Sequence, residues 1–455
     1  MTRRHLSFDP LVSQIRDRAE QLPDVRSRQC DFSIADAIMS GFAMFSLKDP
    51  SLLAFQHRRN DENMKTLYHV DQVPSDTRIR EILDSIDPDL LRPMFNDVFR
   101  ELQRGKALKP FVFHEGHYLV SMDGTEYFSS NSVHCPSCLC RTNKSTSQVT
   151  YYHQMLAAVL VHPDLKVVIP LAPEPIVKQD GNNKNDCERN AGKRLLEKIR
   201  QEHPHLPLIV VEDGLASNAP HIRLLKDLDI RFLLGAKPSD HEHLFDEVIQ
   251  AMDEERYITI SWYDEDEPDV LCEIAFVLDL PLNKSNPDIR VNFLQYTEHG
   301  ADGELRLRFT WVTDLTITTD NAAHLVRGGR ARWKVENETF NTLKNQGYNF
   351  EHNYGHGQQN LSVVFAMLMM LAFLVDQTQE HCCPLFQAVL QKAGSRRILW
   401  ERVRSHFYHF TFQSVWHLYE VMLYDRVKDL PAPRGSALNI LRTCRPPPSS
   451  CSVFH

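Results

Sequence analysis

The chain has 455 residues, 42% of them hydrophobic and 24% charged. That is long enough for two or three domains, or for one core carrying large insertions, and ordinary for a soluble globular protein. A net charge of −9 excludes a global basic surface, so any contact with nucleic acid must rest on local patches.

The N-terminus has no apolar core of signal-peptide type. Residues 1–112 read as a helical region. From Phe32 to Phe45 apolar residues recur at spacings of three and four, which suits a core-facing helix, and Ser75 and Asp76 are cap candidates before a periodic run ending at Leu83. Short helices after a polar linker suit either a small DNA-binding unit or a plain scaffold. Basic pairs such as Arg16/Arg18, Arg58-Arg59 and Arg396-Arg397 are solvated faces more often than phosphate contacts.

From 113 to 252 the pattern changes. Tyr118–Met122 reads as a strand ending at Asp123. Tyr151–Val161 and Leu165–Leu171 flank the turn His162-Pro163-Asp164 and read as a hairpin. Asp186–His203 reads as a charged helix, Leu208–Glu212 as a strand ending at Asp213, Pro220–Leu228 as a short helix and Ile230–Leu234 as a further strand. A meander followed by crossover-linked parallel strands predicts that the first and fourth strands lie side by side, which makes two distant acids neighbours.

Residues 253–320 alternate in strand fashion over four segments and read as a β-rich insertion. A core segment, 321–376, then carries Glu336 in a stretch of helical character. Its apolar run Val363–Val375 is shorter than the ~18 residues of a spanning helix and reads as a buried one. Residues 377–430 are predicted helical. The end, 431–455, with Pro446-Pro447-Pro448, reads as a disordered tail.

Three stretches carry a resemblance: Asp123-Gly-Thr-Glu-Tyr-Phe-Ser-Ser130, Glu212-Asp-Gly-Leu-Ala-Ser-Asn218 and Arg332 to Lys344. Together, over roughly residues 115–375, they resemble the DDE transposases of bacterial insertion sequences, in the group with a β-strand insertion before the final Glu. That group's third motif is Tyr-x2-Arg-x3-Glu-x6-Lys. Arg332 and Glu336 fit its spacing, Gly329 stands at the Tyr position, and Lys344 lies one residue beyond the Lys position. Glu338 is the alternative to Glu336, but only Glu336 is one helical turn from Arg332.

The resemblance implies an α/β fold: a ribonuclease H-like mixed sheet with a β-rich insertion, flanked by helical regions. It implies Asp123, Asp213 and Glu336 as catalytic ligands of two Mg2+ or Mn2+ ions about 3.5–4 Å apart, the spacing suited to phosphoryl transfer. Arg332 and Lys344 become DNA-phosphate contacts, Arg as a fork and Lys as a point charge. The implied partners are element ends and target DNA, held by a homodimer in a bacterial cytoplasm near the nucleoid. The alternative within the family is an inactive relative that binds DNA without cutting it.

A second cluster is His134-Cys-Pro-Ser-Cys-Leu-Cys140. Cys135 and Cys138 have zinc-knuckle spacing, and Cys140 with His153 (or His134) completes a candidate structural zinc site; two unligated thiols fit the same pattern. Ten cysteines without a secretion signal argue against a disulfide framework and for a reducing cytoplasm. His352 and His356 are four apart, but Gly355 and Gly357 make that stretch a loop, so no ligand pair is expected there. Asp186 to Arg194 reads as a capped, charged helix face, and Trp333, Phe340, Tyr348 and Tyr354 as core aromatics. Met122-Asp-Gly-Thr125 also echoes haloacid-dehalogenase-like phosphatases, but Ser121 occupies the place of their nucleophilic Asp, which sets that activity aside.

Overall fold

Long apolar runs with β-branched residues dominate the middle of the chain, and they become one mixed sheet covered by helices. The computed structural model describes residues 4–24, 26, 31–178 and 185–426; the expected disordered tail lies outside them. Twelve strands share the sheet. They are β1 (Val112–His114), β2 (His117–Ser130), β3 (Leu139–Thr142), β4 (Val149–Val161), β5 (Ile169–Pro170), β6 (Glu174–Ile176), β7 (Leu208–Glu212), β8 (Arg231–Gly235), β9 (Ile258–Tyr263), β10 (Leu271–Asn283), β11 (Asn286–His299) and β12 (Leu305–Thr313). The expected mixed α/β architecture is the one the chain adopts.

The main path through the sheet is β3-β4-β2-β7-β8-β12-β11-β10-β9. β4 runs antiparallel to β2 and takes β5 and β6 on its other side. β7 runs parallel to β2, and β8 parallel to β7. Central strands buried on both faces read as unbroken apolar runs, and Leu208–Val211 and Met155–Val161 are of that kind. Helix Glu188–Glu202 makes the crossover into β7, as a parallel connection requires.

Two expectations need correction. The hairpin after β4 is short: only Val159↔Pro170 and Leu160↔Ile169 pair, because Leu165–Val168 is spent on the turn. Asp123 does not end its strand, since β2 continues to Ser130 against β4; only its pairing with β7 stops, at Ser121↔Val211. The β-rich stretch continues the core sheet, because β12 joins β8 antiparallel through Trp311↔Gly235. A further helix, Glu242–Asp253, precedes it.

The terminal helical regions pack on each other. Every residue of helix Ile34–Ser46 is buried, so it offers no face to a DNA groove. It lies against Leu361–Cys382, which is long and apolar enough to cross a membrane but whose apolar window is wholly buried here. That burial makes it the core helix of the fold. Between the two regions, Lys48 pairs with Asp376, and Asn63 donates to the carbonyls of Phe407 and Phe410.

Candidate active site and a cysteine–histidine cluster

The parallel pairing of β2 with β7 has one register, Tyr118↔Leu208 through Ser121↔Val211. Asp123 and Asp213 each lie two residues beyond its last pair, and both line the same cleft. Asp213 begins the turn after β7, where its Oδ1 accepts from the Leu215 N–H at 2.9 Å and holds the side chain at the sheet rim.

Ser121 and Asp123 are two apart on β2 and so share a face. Ser121 is fully buried, and its hydroxyl donates to the Arg332 carbonyl at 2.7 Å. That bond docks the turn Ala331–Trp333 on the sheet and brings the Arg332 guanidinium to 3.4 Å from Asp123 Oδ2. The next segment, Val335–Phe340, widens into π-helical turns, a form that occurs often at functional sites. It carries Glu336.

Burial pushes the Asp123 pKa above the ordinary carboxylate value. Arg332 and the Gly124 N–H oppose the shift, while Asp213 and Glu336 add to it, so both acids are within electrostatic reach of Asp123. Glu338 instead acts on Arg396, in the C-terminal helices.

A fourth acid was missed by sequence reasoning. Glu188, at the start of the crossover helix, has its pKa raised by burial and then by Asp123 and Asp213. Its carboxylate accepts from Gln154 Nε2 at 2.5 Å and covers Gly124, where any Cβ would collide with it. The signal lay in Asp186–Arg194, read as a capped, charged helix face in preference to a DNA contact. A cleft of about 270 Å³ opens beside these acids, and exposed Arg189 and Lys193 line it.

The other motif residues fall as follows. Gly329 lies against the Trp311 indole, 2.5 Å from where its Cβ would be, so the Tyr position has no room for a side chain. Lys344 is engaged with exposed Glu351 at 3.0 Å. Phe340, Tyr348 and Tyr354 are core, as expected, but Trp333 is 44% exposed with Arg332 stacked 4.2 Å from its ring centroid. Also lining the cleft, Glu212 holds His221 at 2.6 Å; burial disfavours the imidazolium, yet Glu212 raises the His221 pKa.

The donors suit a hard cation. Carboxylates with a single adjacent guanidinium leave excess negative charge at Asp123, and divalent ions relieve such a cluster. The carboxylates do not form a tight cage, however. Among the described residues the one set of three or more such ligand atoms lying within 4.8 Å of each other is Cys135, Cys138, His153 and His356.

The Cys–His set corrects the expected one. Cys140 is not in it: its backbone is held by Asn185, whose Oδ1 accepts from the Cys140 N–H at 3.1 Å. His134 is not in it either and stacks on Tyr151. The fourth position belongs to His356, in the loop before Leu361–Cys382. The loop reading of that stretch holds, but a loop is no bar to a ligand. All described cysteines are free thiols.

In comparisons with known proteins, no protein-family model and no curated protein matches the chain.

Proposed function

We propose that this chain is a DDE-type DNA transposase that cleaves the ends of an insertion element and joins them to target DNA. One observation carries the reading: the β2–β7 pairing and the Ser121–Arg332 bond bring Asp123, Asp213 and the segment bearing Glu336 to one edge of the sheet, where Asp213 and Glu336 both act on Asp123. The strand arrangement supports it. An antiparallel set, β5/β6-β4-β2, continued by parallel β7 and β8, is the ribonuclease H-like order, with β2 at its centre.

Asp123, Asp213 and Glu336 would hold two magnesium or manganese ions, which supply activation of the attacking oxygen and stabilisation of the leaving one. The chain's own groups position the DNA. Arg332 beside Asp123 offers a bidentate fork to a phosphate, while Arg189 and Lys193 follow the backbone along the cleft. Lys344 reaches a phosphate by exchanging its exposed partner Glu351, a pair worth little in water. These local cations matter because the chain is acidic overall. The phosphodiester is displaced in line, by water at the nick and then by the freed 3′-hydroxyl at the join. Two ends must be held at once, so the working form is a dimer on DNA, in a cytoplasmic, nucleoid-associated setting.

The test is cleavage and strand transfer of labelled inverted-repeat DNA taken from the sequence that flanks the reading frame. Asp123→Ala, Asp213→Ala and Glu336→Ala each abolish cutting while binding in gel shifts persists, and Glu338→Ala still cuts. A wild-type chain that binds these ends but never cuts them overturns the proposal. So does an active Glu336→Ala.

A further inference from the structure

Cys135 and Cys138 lie in the turn after β2, His153 lies on β4, and His356 arrives from the loop that follows the Glu336 segment. Cys135, Cys138 and His153 are buried and His356 is half-buried. His153 Nε2 is 3.3 Å from each of the two sulfurs, the sulfurs are 3.6 Å apart, and His356 Nδ1 is 4.0 Å from Cys138 Sγ. A tetrahedral ion with bonds of about 2.3 Å to sulfur and about 2.0–2.1 Å to nitrogen has ligand–ligand edges of about 3.3–3.8 Å. Those four separations are close to such edges, and all four ligand atoms lie within 4.8 Å of one another.

We infer that these four side chains bind a structural zinc ion that fastens the segment behind Glu336 to the sheet. Two thiolates balance the charge of the dication, and two neutral imidazoles complete the shell with no position left for substrate. The outer ring nitrogens, His153 Nδ1 and His356 Nε2, are buried with no hydrogen-bond partner, so each ring's polar contacts are made on the sulfur side. A Cys135–Cys138 disulfide is the competing use of the pair. It would leave the buried His153 ring and the half-buried His356 ring without a strong polar partner, which is costly.

The position of His356 gives the ion its consequence. Cys138 and His356 are 218 residues apart, and the cross-link closes the loop 346–360 on β2 and β4. Neighbouring bonds point the same way: Ser137 Oγ donates to the Gln359 carbonyl at 2.9 Å, and Asp84 accepts the N–H groups of Gln358, Gln359, Asn360 and Leu361. The inference is independent of the reaction proposed above, since the ion holds the loop whether or not the acids cut DNA.

The experiment is metal analysis of the full chain purified without chelator, followed by exchange with Co2+. Zinc in equimolar amount, and a visible cobalt spectrum of tetrahedral intensity with thiolate charge-transfer bands, are expected. Cys138→Ser and His356→Ala lose the ion, whereas Cys140→Ser keeps it. Because those variants can fail to fold, the wild-type chain is also treated with a strong chelator. Zinc release then exposes the Cys135 and Cys138 thiols to a disulfide reagent and opens new protease cuts within 346–360, both reversed by added zinc. A chain that carries no zinc and binds Co2+ without tetrahedral bands overturns the inference, as does loss of the ion in Cys140→Ser with retention in His356→Ala.

Discussion

Among the described residues Lys48 is the most buried charged side chain, and replacing it gives a sharp test of how the two helical regions are joined. Its side chain is 0% exposed. The ammonium donates to Asp376 Oδ2 at 2.5 Å and to the Ser46 carbonyl at 2.8 Å, and it sits 3.7 Å from the centroid of the Trp400 ring. Tyr348 donates to the same Asp376 oxygen at 2.5 Å. Burial pushes the Lys48 pKa down and that of Asp376 up, and each charge opposes the other's shift.

Lys48→Met keeps most of the stem volume but strands the Asp376 carboxylate with Tyr348 as its remaining donor. Removing one partner of a buried pair costs about 3–5 kcal/mol. The lost contact with Trp400 is worth up to about 2 kcal/mol when desolvated. The two overlap, so about 4–5 kcal/mol is expected, a large share of the ~5–15 kcal/mol that holds a typical fold. The loss shrinks in acid, where Asp376 takes a proton. Lys48→Met with Asp376→Leu recovers much of it, because no charge is then left unpaired. Urea unfolding of the two single variants and the double gives the coupling. A Lys48→Met chain within about 1 kcal/mol of wild type, or a double variant as unstable as the sum of the singles, refutes the reasoning.

Asp123 has a raised folded-state pKa, so the folded state holds its proton more tightly than the unfolded chain does, and stability falls as pH rises from the unfolded to the folded value. Asp123→Asn therefore melts higher than wild type near neutral pH without divalent ions, and the gap closes below about pH 4; equal melting points at neutral pH would count against the acid cluster. Glu188→Gln relieves the same repulsion and raises the Mg2+ concentration needed for half-maximal cleavage. An unchanged metal dependence removes Glu188 from the site. Ser121→Ala leaves the Arg332 carbonyl without its donor and costs about 1–3 kcal/mol. It also lowers cleavage by misplacing Arg332 and Glu336, and wild-type cleavage by this variant would show that the docking bond does not set the site.

Much of the fold was legible because it is local. Apolar runs such as Leu208–Val211 have few alternatives to a buried strand, and the periodic run from Phe32 to Phe45 needs a partner on several sides. The acids after those runs were visible for the same reason. What the sequence could not supply was register and long-range company. A shift of one residue between β2 and β7 would turn Asp123 to the other face, and nothing local sets that pairing. Glu188 looked like an ordinary helix start until the crossover laid it over Gly124. Cys140 had the better spacing for a metal, yet Asn185 holds it aside while His356 arrives from far along the chain. The residue types and the strands that carry them are thus written in the sequence. Which side chains meet is decided by tertiary packing, because their proximity comes from strand pairing and helix docking between segments that share no local pattern.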